Sequence, residues 1–175
     1  NGKILLESEE NKGSKFILKL NQVAIAEDIE RKISKLKAEN DNITFKPARI
    51  LIVDDIEGNR TVLQLKLRKY NFEVFEAANA KEALAILKEI IPDIMFIDLH
   101  MPEMNGYELY QKISEHNELK KIPAIAVTAY TLDNDEEKVF NAGFSGYVSK
   151  PIDFKKVYSL LKKFVAYDEL TETDN

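Results

Sequence analysis

The chain has 175 residues, of which 45% are hydrophobic and 31% charged, a composition typical of a globular domain with an extension. Its net charge of −5 argues against nonspecific nucleic-acid binding through a basic surface, and the lack of cysteine excludes disulfides, thiolate metal sites and cysteine nucleophiles. No apolar run approaches the roughly 20 residues that cross a bilayer. We therefore expect a cytoplasmic chain without a membrane segment, any membrane anchor of a longer parent lying elsewhere.

The first 46 residues have their own pattern. Two strand-like runs, Lys3–Glu7 and Lys15–Leu20, flank a polar, turn-forming stretch and predict a β-hairpin. Ala24–Asn40 has helical periodicity, and Asp41–Pro47 has the composition of a linker. A lone hairpin is marginal in water, and the chain begins with Asn1 rather than an initiator methionine. We therefore expect a piece of a longer protein.

Strand and helix patterns alternate from residue 48 to residue 166. The strands are short apolar runs with β-branched residues, which is typical of a buried parallel sheet, and right-handed crossovers then place helices on both faces. The pattern predicts an α/β fold with a five-stranded, doubly wound parallel sheet. The predicted strands are Arg49–Asp54, Phe72–Glu76, Asp93–Asp98, Pro123–Thr128 and Ser145–Ser149. The predicted helices are Glu57–Tyr70, Asn79–Ile90, Asn105–His116, Leu132–Asn141 and Asp153–Val165.

Two of these helices carry recognisable start signals. Asn79 is a predicted N-cap with Glu82 as its capping-box partner, and Asp153 caps the last helix. The first predicted helix is Glu57–Tyr70. Its apolar positions are supplied by Val62, Leu63, Leu65 and Leu67.

Polar groups end or follow four of the strands: the pair Asp54-Asp55, then Asp98, Thr128 and Lys150. Functional groups of open α/β sheets gather outside the carboxyl ends of the strands, so we expect these groups to converge. Clustered carboxylates repel one another and supply the oxygen ligands that Mg²⁺ prefers. A carboxylate can also attack phosphorus to give an aspartyl phosphate, whose oxygens need neutralising. Asp98 is the preferred nucleophile because it stands alone, whereas Asp54 and Asp55 resemble a metal-binding pair.

Four segments in this order resemble the receiver domain of two-component response regulators: Ile52–Asp55, Ile97–Gly106, Val127–Ala129 and Gly146–Pro151. The resemblance covers about residues 48 to 166. It implies a flavodoxin-like (βα)5 fold and a role in phosphorelay signal transduction.

The resemblance implies a phosphoacceptor and a metal site. Asp98 would accept the phosphoryl group. Asp54, Asp55 and Asp98 would bind Mg²⁺, a role that Mn²⁺ can also fill, with a further ligand from the backbone carbonyl of His100. His100 and Tyr130 occupy the two positions that tune dephosphorylation in this family, and we expect their bulk to hinder water. A small residue at Tyr130 should then speed dephosphorylation.

The resemblance also implies a phosphate-contacting pair and a switch. Thr128 and Lys150 would contact the phosphoryl group. Tyr147 matches the switch aromatic whose rotation accompanies movement of the threonine. Taken alone, Tyr147 is also compatible with a half-buried strand aromatic. Pro151 matches a proline whose preceding bond is usually cis in the family.

The segments Gly2–Ser8 and Lys12–Leu20 resemble the last hairpin of a histidine-kinase ATP-binding domain. Together with the receiver this order implies a hybrid sensor histidine kinase as the parent. The ATP site and the phosphoaccepting histidine of that family are absent here, so this piece would catalyse only phosphorylation and dephosphorylation of its own aspartate. The implied segments are a kinase remnant at residues 1–22, a helical linker at 23–47, the receiver at 48–166 and a polar tail at 167–175.

The expected function is therefore a Mg²⁺-dependent receiver that takes a phosphoryl group from phosphohistidine onto Asp98 and switches protein contacts. Its partners would be a histidine-kinase phosphotransfer domain, in the same or another chain, and a downstream histidine phosphotransfer protein. One alternative is a pseudo-receiver that binds proteins without phosphorylation, against which the intact Asp98 and Lys150 argue. Another is an aspartyl-phosphate phosphatase, whose usual Asp-x-Asp pattern is missing because Ile56 follows Asp54-Asp55.

Overall fold

The computed structural model describes residues 2–9, 13–20, 43–129 and 133–169, which fall into two compact units divided after Asp41. The first unit contains the predicted hairpin. Strand β1 (Gly2–Glu9) pairs antiparallel with β2 (Gly13–Leu20), in a register that places Gly2 opposite Leu20. The predicted helix at Ala24–Asn40 lies outside the described residues, as do Tyr130 and the chain from residue 170 onward.

The second unit contains the predicted parallel sheet. Its strands are β4 (Arg49–Val53), β5 (Glu73–Ala77), β6 (Ile94–Asp98), β7 (Ala124–Thr128) and β8 (Gly146–Ser149). They are all parallel and lie in the order β5-β4-β6-β7-β8. This is the flavodoxin-like order, so the predicted fold class is confirmed. Every residue of β6 and β7 is buried, as their continuous apolar sequences predict.

Five helices of the described chain connect or follow these strands. They are α1 (Glu57–Leu67), α2 (Ala80–Glu89), α3 (Gly106–Ser114), α4 (Asp133–Asn141) and α5 (Phe154–Phe164). Side chains of β4 alternate between two cores: Leu51 and Val53 pack with α2, α3 and α4, whereas Ile50 and Ile52 pack with α1 and α5. Helices therefore cover both faces of the sheet.

The predicted caps at Asn79 and Asp153 are confirmed, because each side chain accepts a hydrogen bond from the first turn of its helix. The four apolar positions predicted for α1 differ in burial. Leu63 and Leu67 are buried, but Val62 and Leu65 are about half exposed, because only one stripe of this helix faces the sheet.

A two-stranded sheet is formed by residues that the sequence analysis assigned to a linker and a tail. Strand β3 (Ile43–Phe45) pairs antiparallel with β9 (Tyr167–Glu169), and Lys46 N donates to Ala166 O at 2.8 Å. Phe45 anchors this pair, since its ring is buried at edge or tilted geometry 5.3 to 6.1 Å from four other aromatic rings. Those rings belong to Tyr70, Phe72, Tyr158 and Tyr167. Three-residue strands have too little periodicity to predict, and their stability comes from these tertiary contacts.

Among the described residues, no helix combines the length and the apolar character that crossing a membrane requires.

Candidate functional site

The carboxyl edge of the sheet brings together most of the polar groups that the sequence singled out. Asp54 follows β4, whereas Asp98 and Thr128 are the last residues of β6 and β7, and all three are buried, at 2 to 3% exposure. Lys150 directly follows β8, and the neighbouring backbones are joined there by a bond from Lys150 N to Thr128 O at 2.6 Å. Because the strands are parallel and in register, their ends meet at one edge, as expected.

Three acids form a compact cluster at this edge. Carboxylate oxygens of Asp54, Asp55 and Asp98 lie within 4.8 Å of one another. Asp54 and Asp98 are buried, whereas Asp55 is exposed at the rim. Burial and the mutual repulsion of clustered carboxylates are unfavourable unless positive charge or hydrogen-bond donors compensate them. The cluster is therefore consistent with a cation site.

The ammonium of Lys150 supplies part of that positive charge. Its Nζ lies 2.7 Å from Asp54 Oδ2 and 2.6 Å from Asp98 Oδ2. Burial acts to lower the pKa of Lys150, but the hydrogen bonds and charges of Asp54 and Asp98 together outweigh it and raise the pKa. Lys150 therefore stays charged at neutral pH and bridges the strand ends that carry the two buried acids.

The backbone around Asp98 fixes the direction of its carboxylate. His100 N donates to Asp98 Oδ1 at 3.0 Å, while Oδ2 accepts from Lys150 at 2.6 Å. The chain then turns back, with Gly106 N donating to Leu99 O at 3.2 Å. A Cβ at Gly106 would lie 2.3 Å from Asp98 O, so the start of α3 can approach the end of β6 this closely only without a side chain. Asp98 thus has a defined orientation before any ligand binds.

Tyr147 lies on β8, two residues before the end of the sheet strand, and is partly buried. Its hydroxyl donates to Glu136 Oε2 at 3.0 Å, and the Lys156 Nζ lies 4.8 Å from the ring centroid. The ring of Phe140 meets it edge-on at 6.3 Å. The predicted switch aromatic is therefore held by polar and aromatic contacts from α4 and α5.

The remaining positions that the sequence singled out are Pro151, His100 and Tyr130. The Lys150–Pro151 bond is cis. His100 lies beside Asp98 through its backbone N–H, and its roles as a metal ligand and in tuning dephosphorylation stay predictions. Tyr130 lies outside the described residues, so its tuning role also stays a prediction.

Two residues of the site were missed by sequence analysis. Asn59 Nδ2 donates to Asp54 Oδ1 at 3.0 Å and reaches Oδ2 at 3.2 Å, and Arg60 Nη1 donates to Asp54 O at 2.7 Å. Both lie in the first turn of α1. A polar pair five and six residues after Asp54 was the available signal, because the helix that follows a parallel strand begins at the carboxyl edge of the sheet.

The donor set fits Mg²⁺. Three carboxylates offer hard oxygen ligands, Asp55 is open to solvent for a partly hydrated ion, and a lysine ammonium already lies between two of the acids. Asp54, Asp55 and Asp98 are the side chains that would hold the ion.

Magnesium should therefore stabilise the folded chain. We expect the melting temperature to rise with Mg²⁺ concentration, by the equivalent of about 2.7 kcal/mol at one hundred times the dissociation constant. Asp55→Asn should remove most of this gain because it weakens the cluster without disturbing a buried group. Thermal unfolding with increasing MgCl₂ measures the effect. Asp168→Asn, an exposed acid on β9, should keep the full gain, and an equal gain in Asp55→Asn would contradict the site.

Comparison with known proteins identifies the class to which this architecture belongs. The family model of the response regulator receiver domain matches residues 50–162. The chain is a member of the response regulator receiver domain family, and it contains a receiver domain of two-component signalling.

Similar proteins include small receivers and parts of larger proteins. The polar-differentiation response regulator DivK of Brucella anthropi is 32% identical over 119 residues, 68% of this chain and 97% of that protein. The response regulator PleD of Caulobacter vibrioides is 35% identical over 131 residues, 73% of this chain but only 29% of that protein.

Solved structures agree with the fold. A putative response regulator from Chloroflexus aurantiacus has a TM-score of 0.64 and 31% identity, covering 68% of this chain and 98% of that one. The receiver domain of a sensor histidine kinase from Pseudomonas aeruginosa has a TM-score of 0.62 and 27% identity, with the same coverage of 68% and 98%. That structure is described as having a magnesium ion coordinated in the active site cleft.

Proposed function

We propose that this receiver accepts a phosphoryl group from a phosphohistidine onto Asp98 in a Mg²⁺-dependent reaction. One observation carries the proposal. The Asp98 carboxylate is buried at a strand end, oriented by His100 N and Lys150 Nζ, and within 4.8 Å of the carboxylate oxygens of Asp54 and Asp55. A positioned nucleophile beside a cation site is the combination that phosphoryl transfer needs.

The proposed reaction transfers the phosphoryl group from the imidazole of the donor to Asp98. An oxygen of the Asp98 carboxylate attacks phosphorus, the phosphorus–nitrogen bond breaks, and the imidazole leaves with the electron pair and takes up a proton. The product is an acyl phosphate on Asp98. A bound divalent cation would supply positive charge to the phosphoryl oxygens. Lys150 would add its own charge from the end of β8, and the Thr128 hydroxyl would donate a hydrogen bond.

Hydrolysis would reset the domain. Water attacks phosphorus, the acyl oxygen–phosphorus bond breaks, and inorganic phosphate and the Asp98 carboxylate result. We propose that His100 and Tyr130 set the rate of this step by obstructing the approach of water. Between the two reactions, the phosphoryl group would favour a rearranged state of Thr128 and Tyr147, because a ligand shifts an equilibrium toward the state that it binds better.

The context of a hybrid histidine kinase remains part of the proposal. It is supported by the antiparallel pairing of β1 with β2 and by the similarity to the receiver domain of a sensor histidine kinase. The phosphodonor would be a histidine-containing phosphotransfer domain in the same or another chain. The output would be a change in contacts with that domain or with a downstream histidine phosphotransfer protein.

Intact-mass spectrometry after incubation with acetyl phosphate tests the proposed reaction. We expect one phosphoryl adduct that requires Mg²⁺ and is lost in Asp98→Asn. Asp93→Asn is the matched control, because Asp93 immediately precedes the same strand and its carboxylate caps Arg49 N, a contact that asparagine can keep. No adduct on the wild type, under conditions that label another receiver, would instead favour a domain that only binds proteins.

A further inference from the structure

The side chain of Asn59 hydrogen-bonds the Asp54 carboxylate, although none of the motif segments in the sequence includes Asn59. Its amide nitrogen bridges the two oxygens of the buried carboxylate, at 3.0 Å from Oδ1 and 3.2 Å from Oδ2. We propose that Asn59 is a positioning residue that orients Asp54 for a divalent cation and holds it when Lys150 moves away. This inference rests on the proposed Mg²⁺ site.

The two oxygens of Asp54 have different hydrogen-bond partners. Oδ1 accepts from Ile56 N at 2.9 Å and from Asn59, both of which belong to the start of α1. Oδ2 accepts from Lys150 Nζ at 2.7 Å, with Asn59 at the longer distance. The start of α1 therefore fixes Oδ1, and Oδ2 is the oxygen that would become available to a divalent cation if Lys150 moved away.

Asn59 is needed because Lys150 bonds two carboxylates at once. Its single ammonium bonds both Asp54 and Asp98, and the proposed reaction requires it beside the phosphoryl group on Asp98. A buried carboxylate that loses a donor suffers a large desolvation penalty. Asn59 and Ile56 N keep Asp54 hydrogen-bonded after Lys150 leaves, so the exchange of ammonium for metal costs less.

Arg60 holds the backbone of the same residue. Its Nη1 donates to Asp54 O at 2.7 Å, its Nε lies 3.6 Å from Glu76 Oε2, and Gln64 hydrogen-bonds Glu76. Arg60 is thus tied to β5 on one side and to the end of β4 on the other. With the backbone fixed, the Asn59 amide and Ile56 N together orient the carboxylate from the start of α1.

An asparagine at position 59 suits this role because its side-chain amide donates hydrogen bonds without adding a charge. A lysine could also donate to Asp54, but its charge would oppose a divalent cation. An aspartate would add a fourth acid and could not donate. Outer partners that orient a metal ligand typically change affinity by about 10- to 100-fold when removed.

Calorimetric titration of the full chain with MgCl₂ tests the inference. We expect Asn59→Ala to weaken Mg²⁺ binding by about 10-fold, and Asn59→Gln, which keeps an amide donor, to recover part of the loss. The rate of phosphorylation by acetyl phosphate should fall at low Mg²⁺ and return to the wild-type value at saturating Mg²⁺. Asn79→Ala is the matched control: it also removes an asparagine amide from a helix start, one that bonds Glu82.

The outcomes separate this inference from the proposed function. A wild-type chain that binds no Mg²⁺ would overturn both. Normal Mg²⁺ binding by Asn59→Ala would overturn the positioning role alone. Equal weakening in Asn59→Ala and Asn79→Ala would also overturn it, because the effect would then reflect general destabilisation.

Discussion

Replacing Gly106 with alanine is expected to destabilise the protein by about 1–3 kcal/mol, the usual cost of forcing an extra group into a packed site. The new Cβ would lie 2.3 Å from Asp98 O and 2.8 Å from Leu99 Cα, and both contacts are with backbone that cannot rotate away. The end of β6 or the start of α3 must therefore move. Urea unfolding of the two proteins measures the loss.

The same substitution should slow phosphorylation because the displaced backbone carries the nucleophile. A shift near 1 Å in a reacting group can reduce a rate by on the order of 100-fold. Gly58→Ala is the control, since Gly58 also lies in the first turn of a helix but a Cβ there meets nothing within 4 Å. It should be neutral or stabilising by up to about 1 kcal/mol. Equal stability of the two variants would contradict the close approach at Asp98.

Replacing Lys150 with methionine is expected to destabilise the metal-free protein and to increase its response to Mg²⁺. The ammonium is partly exposed, so we expect a loss of about 1–3 kcal/mol, below the cost of breaking a fully buried pair. Mg²⁺ should then restore more stability than in the wild type, because the ion no longer competes with an ammonium for Asp54 and Asp98. Thermal unfolding with and without Mg²⁺ measures both effects.

The pH dependence of the Lys150 contribution has a definite sign. Its folded-state pKa is raised from the ordinary value of 10.5 by Asp54 and Asp98, against the lowering effect of burial. Its stabilisation is therefore fully present below 10.5 and is lost as pH rises through the higher folded value. The stability difference between wild type and Lys150→Met should be constant near neutral pH and shrink above pH 10.5. Lys150→Arg keeps the charge and should show a smaller loss. A Mg²⁺ response equal to that of the wild type in Lys150→Met would contradict the competition.

Much of the fold could be predicted because local sequence and tertiary structure agree. The apolar runs before Asp54 and ending at Asp98 and Thr128 are long enough for one strand each and are buried as predicted. Parallel pairing then brings their ends together. The convergence of Asp54, Asp55, Asp98 and Lys150 therefore followed from the order of the segments.

Other features depend on contacts that a sequence pattern does not encode. The β3–β9 pair is stabilised by Phe45 and its aromatic neighbours, which come from distant parts of the chain. The contacts of Asn59 and Arg60 with Asp54 require the start of α1 to lie beside the end of β4, and the spacing of this polar pair from Asp54 is the only local signal for them. The exposure of Val62 and Leu65 likewise depends on which stripe of α1 faces the sheet.

Locating the phosphoryl group after transfer from a phosphohistidine tests the central claim most directly. The chain would be mixed with a phosphorylated histidine phosphotransfer protein and Mg²⁺, then treated with borohydride, which reduces an acyl phosphate to an alcohol, and mapped by peptide mass spectrometry. We predict reduction at Asp98 and at no other acid, with loss of the phosphoryl group from the donor. Reduction at Asp54 or Asp55, or none at Asp98 while a control receiver is labelled, would contradict the account.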